Sequence, residues 1–119
     1  LYATAAIDGS SGVWKFPIDG SGGIGSGELV IDVTAQFSAD ALAIAVATTG
    51  EMFVGTDASD PIILVQPGGS AETLYPGILQ TPALDLAWGL APVLYMNQGK
   101  TTDANSNLIK INTRREGAR

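Results

Sequence analysis

The chain has neither histidine nor cysteine. That removes the commonest general base, the thiolate nucleophile, disulfides and Cys-containing zinc sites. No G-x-S-x-G elbow occurs either, so acid–base chemistry would fall to Asp and Glu, and no pair of these stands at a motif spacing. Asp103-Ala104-Asn105-Ser106-Asn107 carries the alternating oxygens of the first half of a calcium loop. Asp103, Asn105 and Asn107 are its candidate ligands and calcium the candidate cofactor. The match is incomplete: Leu108 stands where the loop glycine belongs, and Arg114 where the closing acid belongs. A solvated Asx-rich turn accounts for the same residues. The loop Asp57 to Asp60 is a weaker candidate of the same kind.

Gly20-Ser21-Gly22-Gly23-Ile24-Gly25 spells G-x-G-x-x-G. A dinucleotide site needs that turn between a strand and a helix, so that the helix N-terminus meets the pyrophosphate. Here the apolar run Leu29 to Val33 follows and reads as a strand, so the stretch is a hairpin connector. Asp85 interrupts an otherwise apolar segment, and burying it unpaired would cost several kcal/mol or raise its pKa. Trp14 and Trp88 have the flat apolar face and polar edge that suit stacking on a sugar, and equally the bulk that suits a core.

The elements that must hold these residues are strands. In Ala41-Leu42-Ala43-Ile44-Ala45-Val46-Ala47 large and small apolar residues alternate. Successive strand side chains point to opposite faces, so Leu42, Ile44 and Val46 share one face and Ala41, Ala43, Ala45 and Ala47 the other. A helix capped at Ser38 competes, since alanine favours helices. The two-residue recurrence of bulk and the β-branched Ile44 and Val46 favour a strand. Strands are also expected over Leu1–Ala6, Val13–Pro17, Leu29–Val33, Met52–Gly55, Ile62–Val65, Glu72–Tyr75, Leu84–Trp88, Val93–Met96 and Leu108–Ile111. A loop is expected from Thr34 to Asp40.

The alternating strand returns as Leu84, Leu86 and Trp88 at a shift of 42 positions, which also carries Phe53 onto Tyr95. Leu1-Tyr2-Ala3-Thr4, Met52-Phe53-Val54-Gly55 and Leu94-Tyr95-Met96-Asn97 align with one another. Each leads, across a polar loop, to Val13-Trp14-Lys15-Phe16, Ile62-Ile63-Leu64-Val65 or Leu108-Ile109-Lys110-Ile111. Trp88 takes the slot of Val46, and Trp14 that of Ile63 and Ile109, so both are expected to pack. The unit is four strands, a-b-c-d. Residues 1–34 hold b-c-d, 41–75 a complete unit and 83–112 a-b-c, followed by a tail at 113–119.

A period of about 40 to 50 residues with four strands is the signature of propeller blades. Leu1-Tyr2-Ala3, Gly12-Val13-Trp14-Lys15-Phe16-Pro17-Ile18-Asp19-Gly20 and Leu108-Ile109-Lys110-Ile111-Asn112-Thr113 resemble the NHL/YVTN-like group of β-propellers. The resemblance implies an all-β chain of four-stranded antiparallel blades, about two and a half of them. It lacks the WD dipeptide of WD40 blades, and its repeat lengths are unequal. It further implies that Asp85, on an innermost strand, faces a central channel where ligands or metals sit. Known rings need at least about four blades, so partners are expected to be other blades, from a longer chain or from copies of this one. Leu1 to Thr4 reads as the middle of a unit, and the chain is expected to be a piece of a longer protein.

The acidic balance, net −6 from 12 acidic and six basic residues, disfavours nucleic acid. Three of the basic residues, Arg114, Arg115 and Arg119, fall in the tail. Hydrophobic residues make up 45% and charged ones only 15%, against an average charged share of roughly 25%. Together with abundant glycine this composition suits an all-β chain with many turns. No apolar run is long enough to span a bilayer. The expected function is a non-catalytic scaffold or binding module outside the cytoplasm, with a protein or carbohydrate ligand and Asp85 and Trp14 as contacts. The alternatives are part of an enzymatic propeller, lactonase-like or quinoprotein-like, and an oligomerising lectin-like propeller.

Overall fold

Short apolar runs closed by Gly-, Asp- or Pro-rich turns build three antiparallel sheets and almost no helix; the computed structural model describes residues 1–99 and 107–118. Sheet I comprises β1 (Tyr2–Ile7), β2 (Ser10–Lys15) and β3 (Glu28–Asp32), in that order. Asp8 and Gly9 join β1 to β2 with φ of 52° and 84°. Two positive φ values in a two-residue loop match the right-handed twist of the strands they connect. The glycine-rich connector between β2 and β3 folds on Asp19, whose Oδ1 accepts from the N–H of Ser21 and of Gly23, each at 2.8 Å. Ile18 and Ile24 pair across it, and a strand follows. The G-x-G-x-x-G stretch therefore has no helix N-terminus to offer a phosphate.

The segment expected to be a loop contains a short helix, α1 (Val33–Phe37). Asp32 caps it by accepting from the Ala35 N–H at 2.9 Å, and Ser38, at φ 52°, ends it. Five residues cannot sustain a helix alone; Val33, fully buried, and Phe37 hold it against the core between sheets I and II. A helix this short has no periodicity to betray it in the sequence.

Sheet II comprises β4 (Ala41–Val46), β5 (Met52–Thr56), β6 (Ile62–Val65) and β7 (Ala71–Thr73). The alternating segment is thus a strand. Its register departs from the expectation at one place: Ala41 opposes Thr56 and Ala43 opposes Gly55, leaving Leu42 as the extra residue of a bulge. The bulge turns Ala41 to the face opposite Ala43, Ala45 and Ala47, so the four alanines do not share one face. Sheet III comprises β8 (Asp85–Trp88), β9 (Val93–Asn97) and β10 (Leu108–Asn112). Leu84 lies just outside β8, where its N–H donates to Asn97 O at 2.8 Å. It is therefore not the counterpart of the bulged Leu42, and the two sheets come into step only from Ala43 and Asp85.

From there the pairings agree. Ala45↔Phe53 and Val46↔Met52 in sheet II become Ala87↔Tyr95 and Trp88↔Leu94 in sheet III. Phe53↔Leu64 and Val54↔Ile63 become Tyr95↔Lys110 and Met96↔Ile109. In sheet I the same places are held by Tyr2↔Lys15 and Ala3↔Trp14. The sheets stack face on face. Ala43, Ala45, Phe53, Ile62 and Leu64, here called the front of sheet II, pack with Leu86, Leu94, Met96 and Ile111 of sheet III. Met52, Val54, Ile63 and Val65, the back of sheet II, pack with Val13 and Ile31 of sheet I. Gly55 lets the stack close: a Cβ there would meet Ala83 O at 2.6 Å. Burying each large apolar side chain contributes about 1.5–3 kcal/mol, so face-to-face stacking is the main stabilising term. None of the three sheets closes on itself among the described residues.

Candidate functional site

After β10 the chain crosses from the end of sheet III to the end of sheet II. Thr113 holds the crossing at the start, donating from N and from Oγ1 to Pro92 O, both at 3.0 Å. At its far end Thr48 N donates to Glu116 O at 2.8 Å, and Ala118 N to Val46 O at 2.7 Å. Residues 113–118 are therefore part of the folded body and not a solvated tail. A cleft lies on each side of this crossing. One, about 660 Å³, is lined by Thr48, Trp88, Gly89, Ala91 and Glu116 to Ala118. The other, about 500 Å³, has a floor of Phe53, Leu64 and Leu74 and a rim of Tyr75, Arg114 and Arg115. Both fall in the size range of small-ligand sites.

Between the clefts stands an ion pair. Glu51, only 7% exposed, accepts from Arg115 Nη2 at 3.1 Å and from Arg115 Nε, and from Thr49 Oγ1 at 2.8 Å. The Arg115 hydrogen bonds hold the Glu51 carboxyl below the ordinary carboxylate range, against the opposing effect of its burial. Arg115 is correspondingly pushed above the usual guanidinium value. Trp88 forms a wall of the first cleft. Its Nε1 donates to Val46 O at 2.8 Å, and its ring meets Phe53 edge-on with centroids 5.5 Å apart. Gly117 lies against Trp88 so closely that any Cβ there would overlap the indole Cγ.

Trp88 thus packs between sheets, as expected, with its polar edge satisfied by backbone. Trp14 is half-buried on the side of sheet I away from sheet II, and its Nε1 is buried without a partner. Asp85 opens β8 in an exposed position, and its Oδ1 accepts from the Leu86 N–H at 2.9 Å. Asp85, Trp14 and the Glu51–Arg115 pair lie on different sheets or ends and form no common cluster. Asp103 and Asn105 lie outside the described residues. Asn107 leads into β10 and accepts from Gln98 N through its carbonyl at 2.9 Å. In the second candidate loop Asp57 Oδ1 accepts from Asp40 N at 2.8 Å and Asp60 Oδ1 from Gly77 N at 2.7 Å. Those carboxylates pin neighbouring loops. Among the described residues no three acidic side chains gather to hold a metal ion, and no helix is long and apolar enough to cross a membrane.

Glu51 and Arg115 escaped the sequence reading because 64 positions separate them and no motif joins them. The one available signal was a lone glutamate beside an apolar run, with an arginine beyond the last strand. No family model, curated protein or solved structure matches the chain. Fold and site together define an all-β chain of three stacked antiparallel sheets with two clefts flanking the C-terminal crossing.

Proposed function

We propose that this chain is a non-catalytic scaffold of propeller-type blades, and that the clefts flanking the C-terminal crossing receive a protein loop or a carbohydrate. One observation carries the reading: the same antiparallel pairing recurs in sheets I, II and III, and consecutive sheets stack front to back. A repeated sheet stacked in this way is how blades are arranged about an axis. The binding half of the proposal is supported by the clefts' size and by their mixed walls, apolar at Phe53, Leu64 and Trp88 and polar at Tyr75, Thr48 and the backbone of the crossing. The buried carboxylate in this region, Glu51, is spent on an ion pair, which suits a structural role better than proton transfer.

The test is a glycan array and a pull-down run beside a panel of hydrolase and dehydrogenase substrates. A captured protein or glycan whose binding is weakened by Arg114→Ala or Tyr75→Ala, with no turnover, is the expected result. Turnover without any captured partner overturns it.

A further inference from the structure

Among the described residues sheet II is covered by a sheet on both faces, and sheets I and III on one each. We propose that the two bare faces meet: the chain assembles head to tail with a second copy of itself, the back of sheet I packing on the front of sheet III of the next copy. The inference rests on the stacked-blade reading above and names its partner.

The register identifies each face. On the back of sheet II stand Met52, Val54, Ile63 and Val65, and in the same places of sheet III stand Leu94, Met96, Ile109 and Ile111. Seven of these eight are at most 6% exposed, and Ile109 packs against the same core. The places they define on sheet I are held by Leu1, Ala3, Trp14 and Phe16: Ala3 opposes Trp14, and Leu1 and Phe16 exchange backbone hydrogen bonds of 3.0 and 2.8 Å. These are apolar too, yet among the described residues no further sheet covers them: Ala3, Trp14 and Phe16 are only half-buried. Leu1 is 57% exposed, and Leu29, directly across from Trp14, is 39% exposed.

The opposite face completes the match. The front of sheet I, against which sheet II packs, carries Tyr2, Thr4, Val13 and Lys15. At the same places the front of sheet III carries Tyr95, Asn97, Leu108 and Lys110. An aromatic, a small polar residue, an aliphatic residue and a lysine recur in order, but here the aliphatic Leu108 is 63% exposed. The chain makes the front-to-back contact twice and leaves one half of it open at each end. A second copy brings the missing half to both ends. Such a contact is heterologous, so it propagates until it closes as a ring or runs on as a fibre.

Sedimentation from low micromolar to near-millimolar concentration tests this, with Trp14→Glu, Leu108→Glu and an equimolar mixture of the two. Circular dichroism confirms folding, and Leu29→Glu, at an exposed position on the same face, replaces Trp14→Glu if that variant does not fold. The wild-type chain is expected to sediment at a multiple of its own mass and each variant at the mass of one chain. The mixture is expected to form a dimer and stop there, since each variant keeps one intact face. A wild-type chain that stays at the mass of one chain throughout overturns the proposal. So do variants that keep the wild-type mass, or a mixture that remains monomeric or grows past the dimer. A monomeric wild type that still captures its glycan or protein without turnover would sink the assembly alone, leaving the scaffold reading in place.

Discussion

Glu51 and Arg115 differ in what they stand to lose. The Glu51 carboxylate is buried, whereas about a third of the Arg115 side chain meets solvent. Removing the arginine strands a buried charge with Thr49 and Gln66 as its remaining side-chain donors, while neutralising the glutamate leaves a cation that water can reach. Hydrogen bonds to charged groups contribute about 1.5–3 kcal/mol, and the exposure of Arg115 argues for the lower end. Arg115→Met is therefore expected to lower the urea unfolding midpoint, and Glu51→Gln to lower it by less. The pH dependence has a definite sign. Because the folded Glu51 pKa is lowered, the pair's contribution is complete above the unfolded carboxylate pKa and lost as pH falls through the folded one. Arg115, with its pKa raised, stays charged throughout that acid window. The gap between wild type and Arg115→Met should narrow steadily on acidification below about pH 4; a gap constant down to pH 2 would show that the ion pair contributes nothing.

Among the elements, the strictest steric demand falls where β5 meets the entry to sheet III. A methyl at Gly55 would lie 2.6 Å from Ala83 O and 3.2 Å from Ala43 Cβ, both fixed by their own strands or turns. Gly55→Ala should cost about 1–3 kcal/mol, as overpacking does in tight cores, with the loss seen in thermal or urea unfolding. At the edge of sheet I, Asp32→Ala removes the side-chain N-cap of α1 and should cost about 1 kcal/mol by the same measurement. These two places also mark how far the amino-acid pattern could be read. The alternation of bulk in Ala41–Ala47 and the aligned Leu1, Met52 and Leu94 segments announced strands and their pairing partners, since a two-residue period and a repeat are both local in sequence. Three features were hidden because they arise only when distant segments meet. The Leu42 bulge turns Ala41 over. Val33 and Phe37 fold into a turn of helix because a neighbouring sheet offers them a core. The crossing at Thr113 to Ala118, which builds both clefts, is held by backbone bonds to Pro92, Thr48 and Val46, and nothing in its composition distinguishes it from a loose tail.

For the molecule as a whole, stacking makes protection a matter of place in the pile. Every residue of β5 and of β6 is buried, because sheet I covers one side of them and sheet III the other. By contrast β1 has no fully buried residue, and β10 has one, Ile111. Opening β5 and β6 requires parting both inter-sheet cores, whereas β1 or β10 can detach by giving up one. Amide exchange follows the free energy of the smallest opening that frees each N–H. Protection is therefore expected to peak at the paired amides of β5 and β6 and to fall off toward β1 on one side and β10 on the other. The proposed assembly alters that gradient in a stated way: covering the back of sheet I and the front of sheet III should raise protection of β1, β2 and β10 as concentration increases, with little change at β5. Native-state exchange followed by mass spectrometry at two protein concentrations reads both parts at once. A flat profile across the ten strands would mean that the three sheets unfold as one unit and are not a stack of separable layers. A gradient that ignores concentration would leave the stack standing and remove the neighbour.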